Sequence, residues 1–144
     1  MTTVRQIIQA KGMTVWTISP QASVLEALQL MAEKNVGALL VTEGEQVAGI
    51  FSERDYARSV ALRGRTAENT QIGEIMTPRV IYVHPSQSME DCMALMTDKH
   101  IRHLPVMEGE RLIGVISIGD VVKEIISEQQ FTIHSLESYI TGSK

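Results

Sequence analysis

A seven-residue pattern occurs twice in this chain, and both copies sit inside a longer duplication. Gly49 to Asp55 reads Gly-Ile-Phe-Ser-Glu-Arg-Asp, and Gly114 to Asp120 reads Gly-Val-Ile-Ser-Ile-Gly-Asp. The copies lie 65 positions apart. The same offset carries Pro20 onto Pro85, Ser23 onto Ser88, Met31 onto Met96, Lys34 onto Lys99 and Val41 onto Val106. It also carries Glu43-Gly44-Glu45 onto Glu108-Gly109-Glu110. From Pro20 to Asp55, 13 of 36 positions are identical without a gap, several-fold above chance, so the chain is an internal repeat. A single unit of about 60 residues buries too little surface to be comfortably stable. Two units related by a pseudo-twofold axis can share a core, and 144 residues hold two.

The local patterns repeat as well. Val4 to Gln9 places Val4, Ile7 and Ile8 at helical spacing, as in a short amphipathic helix or arm closed by Gly12. Thr14 to Ser19 is rich in β-branched residues and reads as a strand stopped by Pro20. Ser23 and Glu26 form a capping box for a helix with Val24, Leu25, Ala27, Leu28 and Met31 on its apolar side. The apolar run Gly37 to Thr42 reads as a buried strand. A Glu43-Gly44-Glu45 turn leads to a second strand, Gln46 to Phe51. Ser52 opens a helix with Tyr56, Val60 and Ala61 inward, closed by Gly64.

The second unit follows a polar connector, residues 65–71, and a helical turn at Ile72 to Met76. Val80 to Val83 reads as its first strand. Ser88 and Asp91 cap a helix that turns Met89, Cys92, Met93 and Met96 toward the core, where methionine serves mainly to fill gaps. His103 to Met107 and Arg111 to Ile116 read as a hairpin. A helix from Ser117 carries Val121, Val122, Ile125 and Ile126. The expected organisation is residues 1–64 as repeat 1, 65–71 as connector, 72–130 as repeat 2 and 131–144 as a C-terminal tail helix. Phe131, Leu136, Tyr139 and Ile140 give that tail an apolar stripe to dock on this chain or on a second copy. The fold class is α/β with mixed sheets, each unit running β-α-β-β-α.

The repeated Ser-x-x-Asp follows a buried strand and opens a helix. A helix N-terminus presents unpaired N–H groups and partial positive charge, which suits a phosphate. An Asp three residues beyond the Ser can accept hydrogen bonds from both hydroxyls of a ribose, as the acidic residue of dinucleotide folds does. The same four residues also make an ordinary capping box, so the motif has a purely structural reading too.

The order of segments distinguishes the two. Ile72-Gly-Glu-Ile-Met-Thr-Pro-Arg-Val80, Ile101-Arg-His-Leu-Pro-Val106 and Gly114-Val-Ile-Ser-Ile-Gly-Asp120 resemble, in sequence, the opening segment, second strand and ligand motif of the cystathionine-β-synthase (CBS) domain. Val36-Gly-Ala-Leu-Leu-Val41 and Gly49-Ile-Phe-Ser-Glu-Arg-Asp55 repeat the resemblance, which covers residues 4 to 127. It implies a tandem CBS pair that binds adenosine ligands in two clefts. AMP is the first expectation, and ADP, ATP, NAD and S-adenosylmethionine are others. By resemblance, Asp55 and Asp120 match the ribose-binding Asp, and Ser52 and Ser117 the hydroxyl beside ribose or phosphate. Ile50 and Val115 match an apolar contact to the base, and Val36 and Ile101 a second one. Gly37 and His103 lie beside these last two. Arg102 matches a position that meets phosphate in some members, and Trp16 and Ile81 are placed to line a base pocket. Arg54 and Arg58 in repeat 1, against Lys99, Arg102 and His103 in repeat 2, predict that the two sites differ in affinity or phosphate preference. A regulatory module of this kind acts in trans on an effector protein and forms a homodimer.

Composition narrows the alternatives. A net charge of −4 disfavours nucleic-acid binding through phosphate contacts. No apolar run reaches the roughly 18 residues of a membrane span. The first residues lack the apolar core of a signal peptide, and the single Cys92 excludes an intrachain disulfide, so the expectation is a cytoplasmic protein. His100 and His103, three apart, lack an acidic or thiol ligand beside them, so no metal is expected. No nucleophile–base constellation and no Walker-type lysine is legible, so the chain is read as a binding protein and not an enzyme. The rival reading is a structural dimerisation module with vacant clefts.

Overall fold

The computed structural model describes residues 2–12 and 14–141. Thr3 caps the first helix, α1 (Val4–Lys11), with a capping box to Gln6, and Gly12 ends it at φ +98°. Strand β1 is two residues, Thr17–Ile18, shorter than the Thr14–Ser19 expectation. Helix α2 (Val24–Lys34) carries the Ser23/Glu26 capping box and ends at Asn35 in the left-handed region. Strands β2 (Ala38–Glu43) and β3 (Gln46–Ser52) form the first hairpin, and β1 joins β2 in parallel to make a three-stranded sheet. Helix α3 (Glu53–Tyr56) continues into a wider helical turn, Ala57–Ala61.

The second unit repeats this plan. A short helix α4 (Ile72–Ile75) precedes α5 (Met89–Lys99), whose end residue His100 is left-handed like Asn35. Strands β4 (His103–Glu108) and β5 (Arg111–Ser117) form the second hairpin, antiparallel like the first. Each hairpin shifts register at the equivalent place, between Val41 and Thr42 and between Val106 and Met107. The expected strand Val80 to Val83 is reduced to one bridge, Val83 pairing in parallel with Val106. Residues 80–82 are instead free of the sheet.

The two units are bound by an exchange of their leading helices. The amides of Val4 and Arg5 donate to the carbonyls of Gln87 and Pro85, in the second unit. The amides of Ile72 and Gly73 donate to Ala22 and Pro20, in the first. Buried side chains follow the same exchange. Val4 and Ile8 pack with Val83, Met89, Cys92, Met96, Leu104 and Ile116. Ile72 and Ile75 pack with Val24, Met31, Leu39, Val41, Phe51 and Val60. The shared core is therefore two clusters, each assembled from both halves of the sequence. Burying such side chains is the main favourable term in folding.

Three expectations about faces need correction. Met93 is 41% exposed, as are Val122 and Ile126 at 48% each, and Ala61 is also exposed. Helix α6 runs unbroken through Ile118–Thr141, so the tail from residue 131 continues the helix opened at Ser117. Phe131, Ile133, Leu136, Tyr139 and Ile140 project from it into solvent, so the tail does not dock on its own chain.

Candidate functional site

Each strand of a hairpin that ends at a Ser delivers the chain into a helix. At Ser52 the hydroxyl accepts from the Asp55 amide at 3.3 Å and donates to Asp55 Oδ2 at 3.1 Å, and the Ser52 amide donates to the same oxygen at 2.8 Å. Ser117 and Asp120 repeat this geometry, with 2.8 Å from the Ser117 amide and 3.0 Å from its hydroxyl to Asp120 Oδ2. The capping reading of Ser-x-x-Asp is thus physically realised in both copies. In each copy it uses one carboxylate oxygen, Oδ2.

The two carboxylates differ in what else they meet, and through which oxygen. Asp55 Oδ1 accepts from the Thr77 hydroxyl at 3.1 Å. Asp120 Oδ2 lies 2.7 Å from the Lys11 ammonium, which also donates to the Val115 carbonyl at 3.0 Å. Burial would raise the Asp120 carboxyl, but the Lys11 ammonium and the Ser117 amide and hydroxyl outweigh it and hold it below the usual carboxylate range.

A cleft of about 390 Å³ opens at Asp55, within the size range of small-ligand sites. Repeat 1 contributes Gly37, Ile50, Ser52, Glu53, Arg54 and Asp55. Repeat 2 contributes Thr77, Arg79, Val80, Ile81, His100, Ile101, Arg102, His103 and Pro105. Nine of the sequence-identified residues meet here: Gly37, Ile50, Ser52, Arg54, Asp55, Ile81, Ile101, Arg102 and His103. Val36, Val115, Ser117 and Asp120 do not line it, nor does Trp16, whose ring lies 4.4 Å from the Lys34 ammonium.

Of the basic residues that the sequence divides between the repeats, Arg54, Arg102 and His103 meet in this one cleft, and Arg58 and Lys99 do not line it. Arg54 donates to the His100 carbonyl at 3.1 Å. The guanidiniums of Arg79 and Arg102 have no hydrogen-bond or ion-pair partner among the described residues. Arg79 was not singled out by the sequence reading. Its signal was its place in the segment Ile72 to Val80, two residues after the threonine that reaches Asp55. Burial holds the His103 imidazole below the ordinary histidine range. The charges of Lys11 and Arg102 add to this, and those of Asp120 and Glu53 oppose it. The cleft thus presents apolar flanks (Ile50, Ile81, Ile101), two carboxylates (Glu53 and Asp55) and three guanidiniums. Such a surface can sandwich a flat apolar ring, accept from hydroxyls and attract an anion.

Among the described residues, no three His, Cys, Asp or Glu side chains are grouped to hold a metal ion. Cys92 is fully buried, and burial, with the charges of Asp91 and Glu90, pushes its thiol up to about 11. No described helix is long and apolar enough to cross a membrane.

The CBS-domain family model matches residues 4–62 and 72–127, more than half of the chain. The mitochondrial CBS domain-containing protein CBSX3 of Arabidopsis thaliana is 38% identical over 151 aligned positions, covering 98% of this chain and 73% of that protein. The solved structure of a protein with CBS domains from Burkholderia ambifaria superposes with a TM-score of 0.86 at 55% identity, covering 92% of this chain and 99% of that one. The CBS domain pair of protein MJ0100, solved in complex with 5′-methylthioadenosine and S-adenosyl-L-methionine, shares the fold. Its TM-score is 0.78 at 23% identity, covering 89% of this chain and 98% of that one.

Proposed function

The chain belongs to the CBS-domain family, and from that premise we propose that it is a regulatory module binding an adenosine nucleotide in the Asp55 cleft. The observation that carries this reading is the convergence of Arg54, Arg79 and Arg102 on a cleft that also holds Asp55 between apolar walls. Asp55 accepts from the ribose hydroxyls, Ile50, Ile81 and Ile101 flank the base, and the guanidiniums take the phosphates. Ser52 holds the Asp55 carboxylate in place. AMP, ADP, ATP and NAD all carry the adenosine and the phosphates that this arrangement asks for. A pair of the same fold, that of MJ0100, is solved with two adenosine-containing ligands.

The module senses energy or redox state and acts in trans on an effector protein in the cytoplasm, without catalysis of its own. For binding to regulate, the nucleotide must distinguish two conformations or assemblies of the chain. Self-association as a homodimer, through the apolar side chains that α6 leaves in solvent, supplies such an assembly. Titration calorimetry with AMP, ADP, ATP, NAD and S-adenosylmethionine tests the reading and identifies the ligand.

A second reading is favoured by the capping geometry. Both Ser-x-x-Asp copies are satisfied within the chain, and a structural dimerisation module with vacant clefts needs no more. It predicts that none of these ligands binds.

A further inference from the structure

The two leading helices end differently, and the difference falls on the duplicated aspartates. Met76 sits over Gly49, and Ile8 sits over Gly114, so these two residues occupy equivalent places. Helix α4 has ended by Met76, and Thr77 turns its hydroxyl to Asp55. Helix α1 continues for most of another turn beyond Ile8 and ends at Lys11. That extension carries the ammonium to 2.7 Å from Asp120 Oδ2 and 3.0 Å from the Val115 carbonyl.

Asp120 and Val115 are the repeat counterparts of Asp55 and Ile50, the groups assigned above to sugar and base. Lys11 therefore contacts the carboxylate that a ribose would use at this position, and the main-chain carbonyl of the residue whose side chain would meet the base. The remainder of the charge pattern agrees. The offset of 65 places Gly119 opposite Arg54, Gly37 opposite Arg102 and Ala38 opposite His103. The counterparts of three basic side chains of the Asp55 cleft are thus two glycines and an alanine.

We infer that Lys11 is a built-in occupant of the Asp120 position, so that each chain binds one phosphate-bearing nucleotide, in the Asp55 cleft. The inference rests on the reading of that cleft as a nucleotide site. The ion pair is partly exposed, with 39% of the Lys11 and 21% of the Asp120 side chain accessible. Its strength is modest for that reason. Its effect comes from occupancy, because an arriving ribose has to displace the ammonium from the carboxylate.

Titration calorimetry with AMP and with ATP on the wild type, Lys11→Met and Lys11→Met/Asp55→Ala tests this. Circular dichroism and melting check that each variant is folded. The wild type should bind one nucleotide per chain, and Lys11→Met should bind two with AMP. The double variant should keep only the newly opened site. Two events in the wild type, or a single event in Lys11→Met, overturn the role of Lys11 while leaving the nucleotide reading standing. Absence of binding of either probe to every protein overturns the nucleotide reading itself, and this inference with it.

Discussion

Thr77 donates its hydroxyl to Asp55 Oδ1 at 3.1 Å, joining the segment that opens the second repeat to the motif that closes the first. The other carboxylate oxygen is held by the amide and hydroxyl of Ser52. The carboxylate is thereby aimed into the cleft before any ligand arrives, and pre-organisation of this kind lowers the cost of binding. Replacing Thr77 by valine keeps the volume and removes the donor. A net hydrogen bond is worth about 0.5–1.5 kcal/mol, so Thr77→Val should weaken nucleotide binding by about 3- to 10-fold while melting changes little. Calorimetry on the variant checks this.

The duplicated glycines differ in what they can tolerate. A Cβ at Gly49 would lie 2.7 Å from the Thr77 carbonyl oxygen and 2.8 Å from Met76 Sδ. A Cβ at Gly114 would meet no backbone, only the side chain of the buried Ile8: its Cδ1 end first, then Cγ1 at 3.3 Å and Cγ2 at 3.4 Å. Overpacking of a close contact costs about 1–3 kcal/mol, and at this size each kcal/mol is worth roughly 2–4 °C. Gly49→Ala should therefore lower the melting temperature by several degrees, and Gly114→Ala by clearly less. Thermal denaturation of the two variants side by side decides it.

The duplication made much of this architecture legible. Ser23, Ser52 and Ser88 cap their helices as their spacing predicts, since a capping box is a local interaction of four residues. The hairpins are likewise set by apolar runs and a glycine turn. Exchange of the leading helices is not local. Nothing near Val4 says that it packs beside Met89, so the sequence left open which repeat it serves. The reach of Lys11 depends on how far α1 runs past Ile8, and the convergence of Arg54 with Arg79 and Arg102 depends on that same exchange. Val80 to Val83 has strand-like composition, yet only Val83 finds a partner, and Val80 and Ile81 face the cleft instead. Glu128-Gln129-Gln130 interrupts the apolar pattern of α6 without supplying a glycine or proline to stop it, so the tail stays in one helix.

Stability should fall in two steps on the acid side. His103 titrates below its ordinary 6.5 in the folded state, through burial first and then the charges of Lys11 and Arg102. The unfolded chain therefore takes up a proton earlier as pH falls. Stability present above pH 6.5 is lost from there down to the folded pKa of His103. Asp120 is also depressed, from 3.8, despite its burial, so its contribution is lost as pH falls from about 3.8 through its lower folded value. Chemical denaturation as a function of pH should show both steps, and His103→Gln should remove the upper one.

Cys92 should be inert in the native protein. With no exposed surface and a thiol raised to about 11 by burial, it offers little thiolate at pH 8. Labelling by a thiol reagent should proceed only at the rate of unfolding and become immediate in denaturant. Fast stoichiometric labelling of the folded chain would contradict the packing of α5.

The nucleotide reading meets its plainest test in a thermal-shift panel of AMP, ADP, ATP, NAD and S-adenosylmethionine on the wild type and on Asp55→Ala, each compared with its own unliganded baseline. A ligand at about 100 times its dissociation constant stabilises by about 2.7 kcal/mol, equivalent to roughly 5–10 °C for a domain of this size. The predicted result is a shift of that order for at least one phosphate-bearing adenine nucleotide, absent in Asp55→Ala. No shift with any of the five, or a shift that Asp55→Ala leaves intact, would contradict the assignment of the Asp55 cleft as the binding site.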